Sequence, residues 1–166
     1  METRDVAQRA QALFESGFNC AEAVLAAVLA GQGVAASEAV ARLGTAFGGG
    51  VGRSKEELCG ALSGGLIALG YLQGRRSGDE RWDGLAAIAA DVRNRVKAVH
   101  GCTSCAALLE RFGPQEGMDK CIQFSAHTAA LFHEALQAPE TVNTPVVSCG
   151  CTARSEKPRA TGCCNG

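Results

Sequence analysis

The segment Asn19-Cys20-Ala21-Glu22-Ala23-Val24-Leu25-Ala26-Ala27-Val28-Leu29-Ala30-Gly31 decides how the rest of the chain is read. An Asn at a helix N-cap accepts bonds from backbone N–H groups, and a Glu at N3 returns a bond to the cap, forming a capping box. The pattern predicts a helix that opens at Cys20 and closes at Gly31, in the loop Gly31-Gln32-Gly33. Its apolar run, Ala23 to Ala30, is far too short to cross a bilayer.

Helical signals continue on both sides. Residues 3–15 place Val6, Ala10, Leu13 and Phe14 on one stripe. Ser37 is positioned to cap a third helix reaching about Phe47, followed by the loop Gly48-Gly49-Gly50-Val51-Gly52. Ser54-Lys55-Glu56-Glu57 reads as a second capping box opening a helix to about Gly70, and Ser77 to Glu80 as a third, with a helix to about Val99. A short helix is expected after Ser104 and a longer one from about Asp119 to Gln137. No segment alternates with period two. The expected fold is all-α, a compact bundle of about six or seven helices with an extended, Cys-rich C-terminal tail.

The division falls near Pro139. Residues 1–138 form one helical domain of a size that buries a core without cross-links. Residues 139–166 are dominated by Thr, Pro, Ser, Gly and Cys, with too little apolar surface for a core of their own. A net charge of −1 and a pI near 6.3 leave no electrostatic footprint for nucleic acid or an anionic membrane. The charged start, METRDVAQRAQALFESG, lacks the apolar run of a secretory signal, so a cytoplasmic location is expected.

Nine cysteines, an odd number, rule out complete internal pairing. Thiols this dense in a reducing compartment more often hold metal or do redox chemistry than serve as staples. Cys20 and Cys105 are each expected at the first position of a helix, after Asn19 and Ser104. There the unpaired N–H groups and the dipole favour thiolate, which is both nucleophile and metal ligand. The bland alternative is a small buried hydrophobe.

Cys59 is expected inside a glycine-rich helix, in Leu58-Cys59-Gly60-Ala61-Leu62-Ser63-Gly64-Gly65. Such glycines weaken an exposed helix by roughly 1 kcal/mol each relative to Ala. Gly60 and Gly64 open a notch for another helix, or for a cluster or second thiol against bare backbone. Cys121 heads the last helix. In the tail, Cys149-Gly150-Cys151 and Gly162-Cys163-Cys164 offer sulfurs for a soft ion such as Zn²⁺ or Cu(I), or for disulfide exchange with core thiols, or have no chemical role.

Taken together, Gly17-Phe18-Asn19-Cys20-Ala21-Glu22-Ala23-Val24, Ala46-Phe47-Gly48-Gly49-Gly50 with Gly52-Arg53, Cys59-Gly60-Ala61-Leu62-Ser63-Gly64, Cys105 with Leu108-Leu109, and Cys121 resemble the C-GCAxxG-C-C family. These are small helical chains with four characteristic cysteines, to which redox activity is ascribed. The resemblance covers roughly residues 3–137. A similar domain accompanies an iron–sulfur cluster in the split-Soret cytochromes c. The resemblance therefore implies redox work, with Cys20, Cys59, Cys105 and Cys121 as cluster ligands; it fixes no substrate.

Two features depart from the family pattern. Cys102 makes Cys102-Thr103-Ser104-Cys105 a C-x-x-C, so Cys102 is a substitute ligand for Cys105 or its redox partner. The cysteine tail is the other. Ala106 follows Cys105, which argues against covalent c-type haem.

Fe–S clusters are commonly held by four thiolates, and the glycine loop at residues 48–52 offers N–H groups to cluster sulfurs. The dispersed spacing 20–59–105–121 lacks the compact ferredoxin signature and leaves nuclearity open. That glycine loop has no G-K-[ST] lysine and no preceding strand, which sets aside a phosphate loop. Arg53 is left to neutralise a cluster or to pair with Glu56 or Glu57. His100 suits a helix end as a cation. His127, His133, Trp82 and Tyr71 read as surface or packing residues.

Three functions follow. The leading one is a cytoplasmic electron-transfer protein that carries an iron–sulfur cluster and serves an unidentified redox partner protein. The second is a cluster-free thiol–disulfide protein using Cys102, Cys105 and the tail. The third is a soft-metal-binding or sensing module built on Cys149, Cys151, Cys163 and Cys164. A homodimer is expected from the glycine-notched face.

Overall fold

A computed structural model describes residues 1–138; the tail cysteines lie outside the described residues. Among those residues the fold is all-α, with seven α-helices and no strand. The helices are α1 (Thr3–Glu15), α2 (Cys20–Gly31), α3 (Glu38–Ala41), α4 (Gly60–Gln73), α5 (Asp83–His100), α6 (Cys105–Phe112) and α7 (Asp119–Gln137). A 3-10 helix, Arg42–Phe47, follows α3 directly.

The capping box that opens α2 is present in full. Asn19 Oδ1 accepts from the N–H groups of Ala21 and Glu22, and the Glu22 carboxylate accepts from the Asn19 N–H at 2.8 Å. Ala21, Ala23, Val24, Leu25, Ala27, Val28, Leu29 and Gly31 are all buried. A helix apolar on every side belongs in the middle of a fold. Accordingly α2 packs against α1, α4 and α7.

Glycine permits the closest of these approaches. A Cβ on Gly64 would collide with the backbone of Ala21, and one on Gly65 with the ring of Phe132. The glycine-notched face is thus filled from within the chain. At the far end of α2, Gly31 lies under the buried ring of His133, whose nitrogens meet Gln32, Gln137 and the Met1 carbonyl. That histidine is a core residue.

Two expected helix starts are displaced. The Ser54 box does not form, because the Ser54 hydroxyl donates to the Gly50 carbonyl and accepts from the Glu56 N–H. Lys55 stands at φ 65°, which no right-handed helix contains, so α4 starts only at Gly60. The Ser77 box fails in the same way. Glu80 accepts from the Arg76 N–H, and α5 begins after Trp82. No described helix is long and apolar enough to cross a membrane.

Candidate functional site: a cavity with four thiols

Cys20 and Cys105 occupy the first positions of α2 and α6. Cys59 is the N-cap of α4, not an interior residue as expected, and Cys121 lies in the first turn of α7. Four helices therefore present their N-terminal ends, each with a thiol, to one place.

Local backbone pairing fixes two of them. The Cys59 N–H donates to the Thr103 carbonyl at 3.0 Å, and the Cys105 N–H to the Glu57 carbonyl at 2.8 Å. This isolated antiparallel bridge, centred on Leu58 and Ser104, clamps the start of α4 to the start of α6. Ser104 caps α6 through its hydroxyl, which accepts from the Ala107 N–H.

Gln115 fixes Cys121 from two sides. Its Oε1 accepts from the Cys121 N–H at 3.1 Å, and its Nε2 donates to Cys121 Sγ at 3.3 Å. Sequence reasoning missed Gln115, because the contact crosses an irregular turn and leaves no periodic signal.

Glycine makes room for the sulfurs. A Cβ on Gly60 would strike Cys20 Sγ and come within 2.7 Å of the Phe47 carbonyl oxygen. One on Gly50 would lie 2.8 Å from Cys105 Cβ. The glycine loop runs through left-handed backbone at Gly49, Gly50, Val51, Gly52 and Arg53, with φ between 49° and 70°.

Cys20, Cys59, Cys105 and Cys121 line a single open cavity of about 1120 Å³. Phe18, Phe112, Phe124, Leu108 and Ile122 give it an apolar wall, and Arg53 and Lys55 line it from the glycine loop. Cys102 is not among the lining residues; its thiol donates to the His100 carbonyl at 3.3 Å.

The thiols are mutually close. Burial pushes Cys59 up from 9.0 to about 12, and its neighbours Cys20, Cys105 and Cys121 add to the rise while the Ala61 backbone amide opposes it. Cys105 is also raised, first by burial and then by Cys20 and Cys121, with Lys55 pulling it down. Burial again leads the rise at Cys121, where Cys20 and Asp119 add and the Gln115 bond subtracts. Cys59 thus feels all three of its neighbours, Cys105 feels Cys20 and Cys121, and Cys121 feels Cys20. The lowered pKa expected for Cys105 at a helix N-terminus is corrected: desolvation and like charge outweigh the dipole.

The donor set suits an iron–sulfur centre. Among the described residues, no three Cys, His, Asp or Glu side chains gather as ligands of one metal ion. In a cluster each thiolate would bind just one of several irons, so the four sulfurs need not meet at one point. Four sulfurs from separate helix ends, around a space that glycines keep clear, fit that requirement.

His100 departs from its expected role as a cation. It packs edge-on against Phe112 and Phe124, and burial, His127 and Arg111 all lower its pKa. Arg53 forms no ion pair with Glu56 or Glu57.

A family model described as "Putative redox-active protein (C_GCAxxG_C_C)" matches residues 18–135, a span containing all four cavity cysteines and Cys102. No curated protein and no solved structure gives a significant match. The chain belongs to the C-GCAxxG-C-C family.

Proposed function

We propose that this redox-family protein transfers electrons through an iron–sulfur cluster held by Cys20, Cys59, Cys105 and Cys121. The observation that carries the reading is their common cavity, with each sulfur close enough to raise or be raised by the others. When bound, such a cluster stores and releases single electrons. The chain supplies thiolates from four helix ends, cation charge from Arg53 and Lys55, and an apolar wall that limits water. Of the loop residues that line the cavity, Gly49 has an N–H with no partner among the described residues, and its donation to a cluster sulfur would favour the reduced form.

The cluster reading is better supported than thiol–disulfide exchange. Cys102 faces the His100 carbonyl while Cys105 faces the cavity, so the C-x-x-C does not present a matched pair. A cytoplasmic location agrees with so many thiols.

Anaerobic isolation, with iron and acid-labile sulfide counted per chain, tests the proposal. Bound iron with matching sulfide, lost in Cys59→Ser and kept in Cys102→Ser, is the expected result. Equal loss in both variants counts against the assigned ligands.

A further inference from the structure

A small cluster accounts for only part of a cavity of about 1120 Å³, a volume just above the usual range of small-molecule sites. The rest has a polarity of its own. Phe14, Phe18, Leu109, Phe112 and Ile122 line one part, and Arg53 and Lys55 line another. Phe18 is 47 % exposed and so is available to a ligand entering from solvent.

The rim is also strained. Among the described residues, four other than glycine have positive φ: Val51, Arg53, Lys55 and Met118. Three of these, Arg53, Lys55 and Met118, line the cavity. Left-handed backbone is unfavourable for an ordinary residue, and it collects at ligand clamps.

The charges on this rim are not equivalent. Glu22 and Glu15 line the cavity too. The Glu22 carboxylate is held by the Asn19 N–H and the Thr45 hydroxyl, and the Glu15 carboxylate accepts from Gln11. Arg53 and Lys55 have no carboxylate partner among the described residues. No carboxylate among those residues therefore competes with an incoming anionic group for the two cations.

We infer that the cavity is a binding site for a small organic anion, its apolar body against Phe18 and Phe112 and its anionic group on Arg53 and Lys55. This extends the cluster reading by naming the chemical class of the molecule that reaches the redox centre. It is measured independently of that reading.

The test is calorimetric titration of the full chain, isolated anaerobically, with 8-anilinonaphthalene-1-sulfonate and with the uncharged N-phenyl-1-naphthylamine. The expected result is one site for the sulfonate, weakened about tenfold or more in Arg53→Gln/Lys55→Gln, with the uncharged probe unaffected. Phe18→Ser weakens both probes. An unchanged unfolding midpoint shows that each variant folds.

Absence of sulfonate binding, or equal affinity in the double variant, overturns the inference. Iron and sulfide are counted on the same samples. A loaded protein that ignores the sulfonate refutes the anion site alone, whereas iron-free protein that binds it refutes the cluster alone.

Discussion

Gly60 carries the most restrictive demand in the site, because its missing Cβ is where Cys20 Sγ and the Phe47 carbonyl come together. Gly60→Ala should therefore cut iron and sulfide per chain by more than half. Gly70→Ala, in the same helix with nothing within 4 Å of the added carbon, should leave both unchanged. The thiols themselves make a second prediction. Cys59, Cys105 and Cys121 keep their protons in the folded, iron-free chain to higher pH than in the unfolded one. The stability this gives is complete below about 9, then declines as pH rises, for Cys59 through about 12. Each thiol that ionises only on unfolding contributes a slope of ~1.4 kcal/mol per pH unit. Urea unfolding of iron-free protein between pH 8 and pH 10, under reducing conditions, should show the fall; a flat profile contradicts the burial assigned here. That Cys20 and Cys105 head helices was legible from Asn19 and Ser104, since a cap is a local signal. The direction of the Cys105 shift was not, because desolvation depends on what the rest of the fold brings to the sulfur.

Among the elements, α2 and α4 set the geometry, since their contact at Ala21 and Gly64 aligns the two helix starts that bear Cys20 and Cys59. Gly64→Ala should destabilise the protein by about 1–3 kcal/mol through overpacking, read from the urea midpoint. A smaller loss, about 1 kcal/mol, is expected for Asn19→Ala, which removes the α2 cap. Helices with a clean cap, α2 and α6, or a steady apolar stripe, α1 and α7, were legible and lie where the sequence puts them. The starts of α4 and α5 were not. Ser54 and Glu80 satisfy the local rule for a box, but their polar groups are used inside turns. The left-handed run from Gly49 to Arg53 then displaced the α4 start by several residues, and sequence pattern carries no sign of handedness in a loop that includes Val51 and Arg53.

For the molecule as a whole, the arrangement amounts to a bundle whose helix starts converge at one end. Cysteines 39, 46 and 16 residues apart in sequence become neighbours there. The dispersed spacing made this illegible from distance along the chain; only the family pattern pointed to it. If residues 1–138 hold the cluster by themselves, deleting residues 139–166 should leave iron and sulfide per chain unchanged. Loss of the iron on truncation would move the site to Cys149, Cys151, Cys163 and Cys164. The central claim is tested most directly by visible and electron paramagnetic resonance spectra of the anaerobically reconstituted protein, alongside four single Cys→Ser variants at positions 20, 59, 105 and 121. The account predicts a sulfide-containing iron chromophore in the parent and Cys102→Ser proteins that is weakened or lost in every one of the four. A parent protein that takes up neither iron nor sulfide would contradict it.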